Sequence, residues 1–413
     1  MSSIFFFTNN KEKKIPILFR NQIFDIPSTT YGSFGIYKYP AKFIPQVIAF
    51  VLKNLAKPGM KIFDPFAGYG TVGLVSRIYG YDYELWELNP IIEIIHKTAT
   101  MSPTKVNIDH LLRRISSSNE EFVPKWTNLH YWFPDEFLPL LSKVWGFVHS
   151  LNENSKERLV LTIPLLKVTK YFSYCDEKIY KLYRSKYAKK KVEELLKLDW
   201  KKLFFEMLRK EIEHLLRKLR ENESLKPRKV NFRILSGIDT LNTSLETDVD
   251  ILITSPPYLQ AQEYIRTTKI ELFWLGYSED YIKSLSRKEI PYRDVPEIKI
   301  FSKSYHEIRE QIKEIHLKRL YDRYFHAILN IFSSLGERVR EYMCIFVGPA
   351  KIRNKPIPID DIVREHLTAI GWKHVVTFVD KIVSRAMFET KINPASGVND
   401  SRMKTEHLVI LKR

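Results

Sequence analysis

Apolar positions in the first quarter of the chain alternate between helical and strand spacing. The stretch 41–58, AKFIPQVIAFVLKNLAKP, has apolar residues at helical spacing up to Pro58, which predicts a helix. The following segment 60–80, MKIFDPFAGYGTVGLVSRIYG, predicts a short buried strand, a glycine-rich turn and a second helix. A further strand is predicted in 82–90 and a further helix in 91–101. Strand alternating with helix is typical of parallel βαβ units.

The rest of the chain interrupts this alternation and then resumes it. Segment 104–229 is mostly helical in pattern and highly charged, as in EELLKLDWKKLFFEMLRKEIEHLLRKLRENESL. Strand patterns return in VNFRILSGIDTL and TDVDILITSPPY, helical patterns cover 261–336, and EYMCIFVGPA, WKHVVTFVDKIV and EHLVILKR predict three more strands. We therefore expect an α/β core made of residues 1–103 and 230–413, split by a basic helical insert.

The charge of the chain favours a polyanion as its partner. Lys and Arg number 66 against 48 Asp and Glu, a net charge of +18 over 413 residues. Such an excess favours nucleic acid ahead of an acidic membrane surface. A thermophile's surface would raise both signs together, whereas only the positive sign is in excess here. Within 156–229 the chain has 22 Lys or Arg against 11 Asp or Glu, so much of the excess lies in the predicted insert.

Cysteine content and hydropathy indicate an intracellular protein. Cys175 and Cys344 lie far apart, without a CxxC pair or a His-rich run, so we expect neither a disulfide scaffold nor a metal site. The apolar patch in MSSIFFFTNNKEKK is too short for a signal sequence, and no apolar run reaches 18 residues. These features predict a reducing compartment, the cytoplasm of a prokaryote or its nucleoid, and no membrane partner.

The glycine-rich turn FDPFAGYGT has the features of a nucleotide-type site. Gly68 and Gly70 let the backbone approach a ligand closely, but no Lys precedes Thr71 as a phosphate-binding P-loop requires. Asp64 would repel a pyrophosphate, whereas it could pair with an ammonium or a sulfonium. Glu87, at the end of the next predicted strand, could accept both ribose hydroxyls. This combination favours S-adenosylmethionine over NAD, and the alternative is an ordinary strand-to-helix turn with a capping Asp.

The segment ILITSPPY ends a predicted strand in a rigid turn. Pro256 and Pro257 have no N–H and a fixed φ, so they present outward carbonyl acceptors, and Ser255 adds another beside the flat face of Tyr258. The exocyclic amine of cytosine or adenine is a poor nucleophile because its lone pair is delocalised. Acceptors that bind its hydrogens would free that lone pair to attack a sulfonium methyl. A base must leave the duplex to reach such a loop, and Tyr258 would then stack on it.

Together, DPFAGYGT and TSPPY resemble the cofactor and catalytic motifs of the amino-methyltransferases of DNA. The Ser-led loop resembles that of the N4-cytosine-specific DNA methyltransferases, and LQAQEYIRTTKIELFWLGY is similar to the helix after it. FGIYKYPAKFIP is similar to the segment that closes over the methionine part of the cofactor. The resemblance covers about 31–102 and 230–413. It implies a class I methyltransferase, Rossmann-like fold with a mostly parallel sheet of about seven strands, of which EHLVILKR would be the antiparallel member.

Carried over position by position, the resemblance implies a catalytic loop and a cofactor site. In this comparison Glu87 matches the acid that binds the ribose, and Asp239 matches the acid that contacts the adenine amine. The residues that match the catalytic loop are Ser255, Pro256, Pro257 and Tyr258. The residues implied in binding S-adenosylmethionine are Tyr39, Phe43, Asp64, Pro65, Phe66, Ala67, Gly68, Gly70, Thr71, Glu87, Leu88, Asn89, Asp239 and Thr240.

The insert is the predicted contact to double-stranded DNA. Placed between the second strand and the Asp239 strand, it would lie beside the carboxyl edge of the sheet, where ligands bind. A solvated helical face is the alternative interpretation, and the basic stretch 276–335 is a second candidate for DNA contact. The cofactor motif precedes the catalytic motif, the reverse of many N4-cytosine enzymes, which leaves the recognition region open. The residues predicted to contact phosphates are Lys181, Arg184, Lys186, Lys189, Lys190 and Lys191.

Several functions remain open from the sequence. The main hypothesis is a DNA N4-cytosine methyltransferase of a restriction–modification system, with a cognate endonuclease as a further partner. The alternatives are N6-adenine methylation of DNA, methylation of a base amine in RNA, a nucleic-acid-binding module without catalysis, and a nicotinamide oxidoreductase. The intact Asp64, Glu87 and Ser255 argue against an inert module, and an oxidoreductase would have no use for the Ser-Pro-Pro-Tyr loop.

Overall fold

The centre of the molecule is a twisted, mostly parallel sheet with helices on both faces. A computed structural model describes the chain over residues 14–40, 42–179, 182–259, 263–353, 355–382 and 404–413. Within these residues the large sheet has eight strands, in the order β1-β9-β10-β6-β5-β2-β3-β4. Its strands are β1 Lys14–Ile17, β2 Lys61–Asp64, β3 Asp82–Glu87, β4 Phe232–Ser236, β5 Val249–Thr254, β6 Val339–Val347, β9 Lys373–Lys381 and β10 Thr405–Lys412.

The order and direction of the strands confirm the predicted Rossmann-like methyltransferase fold. Strands β2, β3, β4, β5 and β6 pair in parallel, whereas β10 runs antiparallel to both of its neighbours, β6 and β9, as the sequence predicts for EHLVILKR. From β2 the chain continues to β3 on one side, and from β5 it continues to β6 on the other. The order therefore reverses between β2 and β5, and such a switch point is where open α/β sheets bind ligands.

Helices follow the strands, and most of them form where the apolar spacing predicts. Helix α1 ends at Leu55, ahead of Pro58 and Gly59, and α2 ends at Tyr79, followed by Gly80 in a left-handed conformation. The helices of the core are α1 Pro45–Leu55, α2 Thr71–Tyr79, α3 Ile91–Thr100, α10 Tyr264–Thr267, α11 Lys269–Trp274, α12 Glu279–Ser286, α13 Lys303–Gln311, α14 Ile315–Gly336 and α15 Ile359–Ala369. The helices of the insert are α4 Ile108–Ser117, α5 Leu129–Trp132, α6 Leu138–Ser150, α7 Lys156–Tyr171, α8 Lys186–Leu195 and α9 Trp200–Glu223.

Alternate residues of the central strands feed two separate hydrophobic clusters. Ile62 and Ile251 belong to the cluster that contains α1 to α3, while Phe63 and Leu252 belong to the cluster that contains α14 and α15. Successive side chains of a strand point to opposite faces of the sheet, so both faces are buried. This double burial explains why residues 62–63 of β2 and 251–253 of β5 are all apolar, without an alternating polar position.

The insert is packed into the first of these clusters. Apolar residues of α4, α6, α7 and α9 share that cluster with α1, α2 and α3. The carboxylate of Glu221 on α9 accepts the backbone N–H of Gly32 at 3.2 Å, and Lys170 on α7 pairs with Glu271 on α11 at 2.8 Å. The insert and the core are therefore joined by apolar packing and by buried polar contacts.

Three elements differ from the sequence-based expectation. Strand β1 adds an eighth strand to the seven expected, at the edge of the sheet beside β9; its Pro16 is compatible with an edge strand. Helix α15 and the small hairpin of β7 Ala350–Ile352 and β8 Lys355–Ile357 were not predicted. Strand β1 and the two strands of the hairpin are short, whereas α15 is an amphipathic helix of 11 residues whose pattern was present in the sequence but was not recognised. None of the helices among the described residues has the length and apolar character needed to cross a membrane.

Candidate active site

A pocket opens at the carboxyl ends of β2, β3 and β5, beside the point where the strand order reverses. It encloses about 760 Å³ of empty space, including its open mouth. Nine of the residues predicted from the sequence line it, and they come from both predicted motifs. They are Tyr39, Phe66, Gly68, Glu87, Leu88, Asp239, Thr240, Ser255 and Pro257. The glycine-rich turn and the Ser-Pro-Pro-Tyr loop, nearly 190 residues apart, therefore share one pocket.

The glycine-rich turn owes its shape to two left-handed residues. Gly68 has φ +53° and Gly70 has φ +83°, a region that other residues rarely adopt. A Cβ at Gly70 would approach the buried ring of His96 at 2.9 Å, so Gly70 is required for packing below the pocket. Gly68 instead lies at the pocket, where a Cβ would meet Tyr39 at 3.5 Å.

Glu87, at the end of β3, is held by backbone donors on both oxygens. Its Oε2 accepts the N–H of Gly68 at 2.7 Å, and its Oε1 accepts the N–H of Asn89 at 2.9 Å. Burial raises the pKa of Glu87, and these two hydrogen bonds oppose that rise. Each carboxylate oxygen has a second lone pair, so Glu87 can also accept hydrogen bonds from a ligand in the pocket.

Asp64 lies beneath the pocket and does not line it. The side chain is 1% exposed, and its Oδ1 accepts the hydroxyl of Thr254 at 2.6 Å and the N–H of Phe66 at 3.0 Å. Burial raises the pKa of Asp64 to about 7. We expected direct pairing of this carboxylate with a ligand cation; the structure places it instead between β2 and β5, because these strands are neighbours in the sheet.

Asp239 lines the opposite wall and carries its own counter-ion. Its Oδ1 pairs with Arg293 at 2.6 Å, and its Oδ2 accepts the side-chain amide of Asn242 at 2.7 Å. The adjacent Thr240 donates its hydroxyl to the carbonyl of Pro65 at 2.9 Å. The Asp239 turn is thereby joined to the glycine-rich turn across the pocket.

Of the four residues predicted to form the catalytic loop, two line the pocket and two do not. Ser255 and Pro257 line the pocket, whereas Pro256 is buried and Tyr258 is not among the lining residues. The hydroxyl of Tyr258 donates to Oε1 of Glu406 on β10 at 2.6 Å. Burial, followed by the charge of Glu406, raises the pKa of Tyr258 well above its ordinary value. This hydrogen bond joins the loop to β10.

The remaining predicted cofactor residues lie behind the pocket wall. Phe43 stacks on Phe346 with a centroid distance of 5.3 Å. The N–H of Ala67 donates to the carbonyl of Trp86, and the amide of Asn89 donates to the hydroxyl of Thr268. The predicted cofactor residues that do not line the pocket are Phe43, Asp64, Pro65, Ala67, Gly70, Thr71 and Asn89.

Sequence reasoning missed eight residues of the pocket wall. Ile238 and Leu241 flank Asp239 and could have been found with that motif. Lys288, Glu289 and Ile290 come from the end of α12, and nothing in the sequence joins them to either motif. The missed residues are Pro40, Ile238, Leu241, Tyr264, Ile265, Lys288, Glu289 and Ile290.

Glu289 is the missed residue with the most distinctive chemistry. It is 6% exposed, and its Oε1 accepts the N–H of Ile265 at 3.0 Å. Burial raises the pKa of Glu289 to about 7. A carboxyl group with that pKa can exchange a proton near neutral pH.

The predicted phosphate-contacting residues of the insert differ in exposure. Lys186, Lys189 and Lys190 are exposed on α8. Lys191 instead donates to the carbonyl of Tyr171 at 2.6 Å, and Arg184 donates to the carbonyl of Tyr131 at 2.6 Å. Those two cations therefore serve the fold of the insert. Lys181 lies outside the described residues.

Comparison with known proteins gives one distant relative in sequence. No protein-family model matches the chain. The type II methyltransferase M.MvaI of Kocuria varians is 21% identical over 421 aligned residues, which cover 91% of this chain and 89% of that protein.

Two solved structures of the rRNA methyltransferase AviRa from Streptomyces viridochromogenes, at 1.5 and 2.4 Å, are 12% and 10% identical to the chain. They cover 91% of it and 86% and 88% of their own chains, with a TM-score of 0.28.

The residues of the pocket fit the cofactor that the sequence predicts. Gly68 leaves room for close approach, and Glu87 and Asp239 present carboxylates from two sides. Among the described residues, no group of three or more His, Cys, Asp or Glu is arranged to hold a metal. The strand order, this pocket and the similarity to M.MvaI along nine-tenths of the chain support a methyltransferase, an enzyme whose methyl donor is S-adenosylmethionine.

Proposed function

We propose that the protein is a DNA methyltransferase that methylates the N4 amine of cytosine in duplex DNA. In this proposal the target base is flipped out of the helix, and the enzyme is the modification arm of a restriction–modification system. The observation that carries the proposal is that Ser255 and Pro257 line the same pocket as Gly68 and Glu87. Methyl transfer to a base amine requires the methyl-donor site and the acceptors for that amine to be adjacent.

The cofactor half of the pocket is assigned to the walls formed by Gly68, Glu87 and Asp239. Bound S-adenosylmethionine supplies an electrophilic methyl group on a sulfonium. Glu87 would accept the ribose hydroxyls, since each of its oxygens has a lone pair beyond the backbone donors that it already binds. Asp239 would accept the adenine amine while Arg293 balances its charge. Asp64 would act indirectly, by holding the turn to β5 through Thr254.

The catalytic half of the pocket is assigned to Ser255 and the two prolines. The amine of cytosine conjugates with its ring, and acceptors that bind its hydrogens localise the lone pair on nitrogen. Ser255 and the carbonyls of the loop would serve as those acceptors, and the rigid prolines would hold them in place. Tyr258 would fix the position of the loop relative to β10 through its hydrogen bond to Glu406.

Transfer of a methyl cation to the amine leaves a positively charged nitrogen, which must lose a proton. The hydroxyl of Ser255 is too weak a base to keep that proton. Among the pocket carboxyls, Glu87 is held by two backbone N–H groups and Asp239 is paired with Arg293. Glu289 has a pKa of about 7 and lines the same pocket. We assign the proton to Glu289, directly or through a water molecule.

Contact with DNA is assigned to the insert. Lys186, Lys189 and Lys190 are exposed on one helix, and their charges would neutralise phosphates. Residues of the insert also approach the catalytic side, since Tyr131, Trp132 and Leu182 share a cleft with Glu263, which closely follows the catalytic loop. Under this proposal segment 104–229 is the target-recognition region, with 276–335 as a further contact.

The experiment that tests the proposal is identification of the methylated nucleoside. Genomic DNA, and total RNA in parallel, are incubated with the protein and isotope-labelled S-adenosylmethionine, then digested to nucleosides and separated by mass. The expected product is N4-methyldeoxycytidine, absent with Ser255→Ala. Labelled N6-methyldeoxyadenosine, or label confined to RNA, would overturn the choice of target. Tight binding of S-adenosylmethionine without transfer to any substrate would favour a module without catalysis.

A further inference from the structure

A second cleft lies next to the pocket, on the other side of one helical turn. Tyr264 and Ile265 of α10 line the pocket, while Glu263 and Arg266 line the cleft. A second element is divided in the same way, since Ser286 lines the cleft and Lys288 lines the pocket. The cleft, which encloses about 840 Å³ including its open mouth, is called the aromatic cleft, and its lining residues are Trp126, Asn128, Tyr131, Trp132, Leu182, Glu263, Arg266, Lys269 and Ser286.

Flat aromatic faces form the wall that belongs to the insert. Trp126 is stacked on Phe273 with a centroid distance of 4.4 Å and an interplanar angle of 11°. Trp132 lies nearly parallel to Trp126, at 6.3 Å and 13°. Tyr131 is 53% exposed, with the guanidinium of Arg184 over its ring at 4.6 Å. Parallel rings with an exposed neighbour are suited to stacking on a planar ligand.

The same cleft contains polar donors without acceptors. Trp126 is 6% exposed, and its indole Nε1 is buried with no hydrogen-bond partner among the described residues. Lys269, which is half-buried, also lines the cleft. Its ammonium has no hydrogen bond or ion pair within the part of the chain that the structure describes, and burial lowers its pKa. Leaving a buried donor unpaired is unfavourable, because the group has given up its hydrogen bonds to water. Arg266, by contrast, is paired with Glu263 at 2.8 Å. Two unpaired donors in one cleft indicate a ligand that carries acceptors.

The charge of the cleft selects among such ligands. Lys269 and Arg266 outnumber Glu263, and the exposed lysines of α8 lie on the same insert as the aromatic wall. An acceptor-rich, negatively charged ligand with a planar ring fits these features. A nucleotide combines a base for the aromatic rings with a phosphate for the ammonium.

We propose that the aromatic cleft binds an unpaired nucleotide of the DNA substrate, one or two positions from the target base. Its base would stack on the exposed ring of Tyr131, with its edge against Trp132, whose ring is at 84° to that of Tyr131, and its phosphate would lie against Lys269. Helix α10, about 10 Å across with its side chains, separates the cleft from the pocket. This inference rests on the proposed function, because it takes the neighbouring pocket as the position of the flipped base.

The test measures binding of a single-stranded probe, the deoxythymidine pentanucleotide, by fluorescence anisotropy. Tyr131→Ala and Lys269→Met each remove one proposed contact, while Tyr131→Phe and Lys269→Arg retain it. Lys202→Met, at an exposed position of α9 outside the cleft, is the matched loss of charge. We expect Tyr131→Ala to weaken binding between about fivefold and a hundredfold, as stacking losses do. Lys269→Met is expected to reduce the slope of log affinity against log salt by about 0.7.

The outcomes separate this inference from the proposed function. Calorimetry with S-adenosylmethionine shows whether each variant is folded, and DNA methylation by the parent protein is measured in the same preparations. If the parent methylates DNA but Tyr131→Ala and Lys269→Met bind the probe like the parent, the cleft assignment is wrong. If both variants bind the probe more weakly than the parent, and the parent methylates no DNA, the cleft assignment stands and the proposed function fails. Tighter binding of a uridine pentanucleotide would overturn the choice of DNA.

Discussion

At the scale of single residues, three buried carboxyl groups near the pocket differ in what their hydrogen bonds allow. Burial raises the pKa of all three, Glu87, Asp64 and Glu289. Glu87 accepts two backbone N–H groups, which keep an ionised carboxylate available to a ligand. Asp64 is sealed below the pocket, and Glu289 lines the pocket with a pKa of about 7. We therefore expect Glu87 to bind a ligand, Asp64 to stabilise the structure below the pocket, and Glu289 to exchange a proton.

Replacing Glu87 with Gln is expected to weaken binding of S-adenosylmethionine. The amide NH2 would face either the N–H of Gly68 or that of Asn89, where the carboxylate presents an acceptor. Loss of a charged hydrogen bond costs about 1.5–3 kcal/mol, or about tenfold to 150-fold in affinity. Calorimetric titration measures the change, with the exposed Glu246→Gln as control. Equal affinities of the parent and Glu87→Gln would remove Glu87 from the site.

The proposed role of Glu289 predicts a specific pH dependence of methyl transfer. Only the ionised carboxylate accepts a proton, so the rate of the parent protein should fall about tenfold per pH unit below about 7. Glu289→Gln keeps an oxygen for the N–H of Ile265 but has no group to titrate. We expect a slower rate that lacks this acidic limb.

The rate of Glu289→Gln should be measured at saturating S-adenosylmethionine between pH 5.5 and 8.5. Cofactor affinity at pH 8 is the control for an intact pocket. An acidic limb of the same midpoint in Glu289→Gln would assign the proton to another group.

At the scale of elements, the site depends on how neighbouring strands are connected. The hydroxyl of Thr254 at the end of β5 donates to Asp64 at the end of β2, and Tyr258 donates to Glu406 on β10. Each bond joins one motif to a strand far away in sequence. The glycine-rich turn and the Ser-Pro-Pro-Tyr loop are therefore positioned relative to each other by the sheet.

The burial of Asp64 predicts how stability changes with pH in the protein without ligand. The pKa of Asp64 is about 7 in the folded state, above the ordinary value of 3.8, so folding favours the protonated form. This contribution is complete below about pH 4 and is lost as pH rises through 7. Between pH 5 and pH 8 we expect the parent to lose about 2–3 kcal/mol of unfolding free energy from this group.

Asp64→Asn should remove that dependence, because its amide does not titrate. Urea unfolding of the parent and Asp64→Asn at pH 5 and pH 8 measures both differences. Asp361→Asn, at a half-buried carboxylate paired with Lys14, is the control for a change of net charge. An Asp64→Asn protein that loses as much stability as the parent over this range would contradict the assignment.

At the scale of the whole molecule, positive charge and buried packing coexist in the insert. Helices α4 to α9 contribute to the same hydrophobic cluster as α1 to α3, and α8 presents three exposed lysines. A surface that carries charge on a well-packed base can hold phosphates without rearranging, which is how backbone contacts fix the register of a protein on DNA.

Neutralising Lys186, Lys189 and Lys190 to Gln together is expected to weaken DNA binding. Each phosphate contact releases about 0.9 counter-ion from duplex DNA, so the slope of log affinity against log salt should fall by about 2.7 if all three contact phosphates. Anisotropy of a labelled duplex between 50 and 200 mM salt measures it. The control neutralises exposed Lys57, Lys229 and Lys373, which lie at the amino ends of strands, at the opposite edge of the sheet from the pocket. An equal loss in both triple variants would indicate attraction by net charge alone.

Much of the fold was accessible from the sequence because its signals are local. The apolar residues 62–63 and 251–253, the helix stop signals Pro58 and Gly80, and the glycines of the turn each predict an element without reference to the rest of the chain. Strand β1 is too short to carry a clear pattern and depends on its neighbour β9, whereas the amphipathic pattern of α15 was present in the sequence and was not recognised. Within the site, Glu87 and Ser255 followed from motifs, but Glu289 did not, since no spacing relates it to either motif.

The sequence by itself determined which chemistry the chain can carry: glycines that free a turn, a carboxylate at the end of a strand, and a stiff loop of acceptors. These properties belong to residue types and short spacings, so they can be seen without coordinates. The tertiary structure alone decided that Asp64 lies below the pocket, that Tyr258 bonds to β10, and that α10 separates two clefts. Such relations depend on which strands are adjacent and which faces are buried, and pairing over hundreds of residues leaves no local signal.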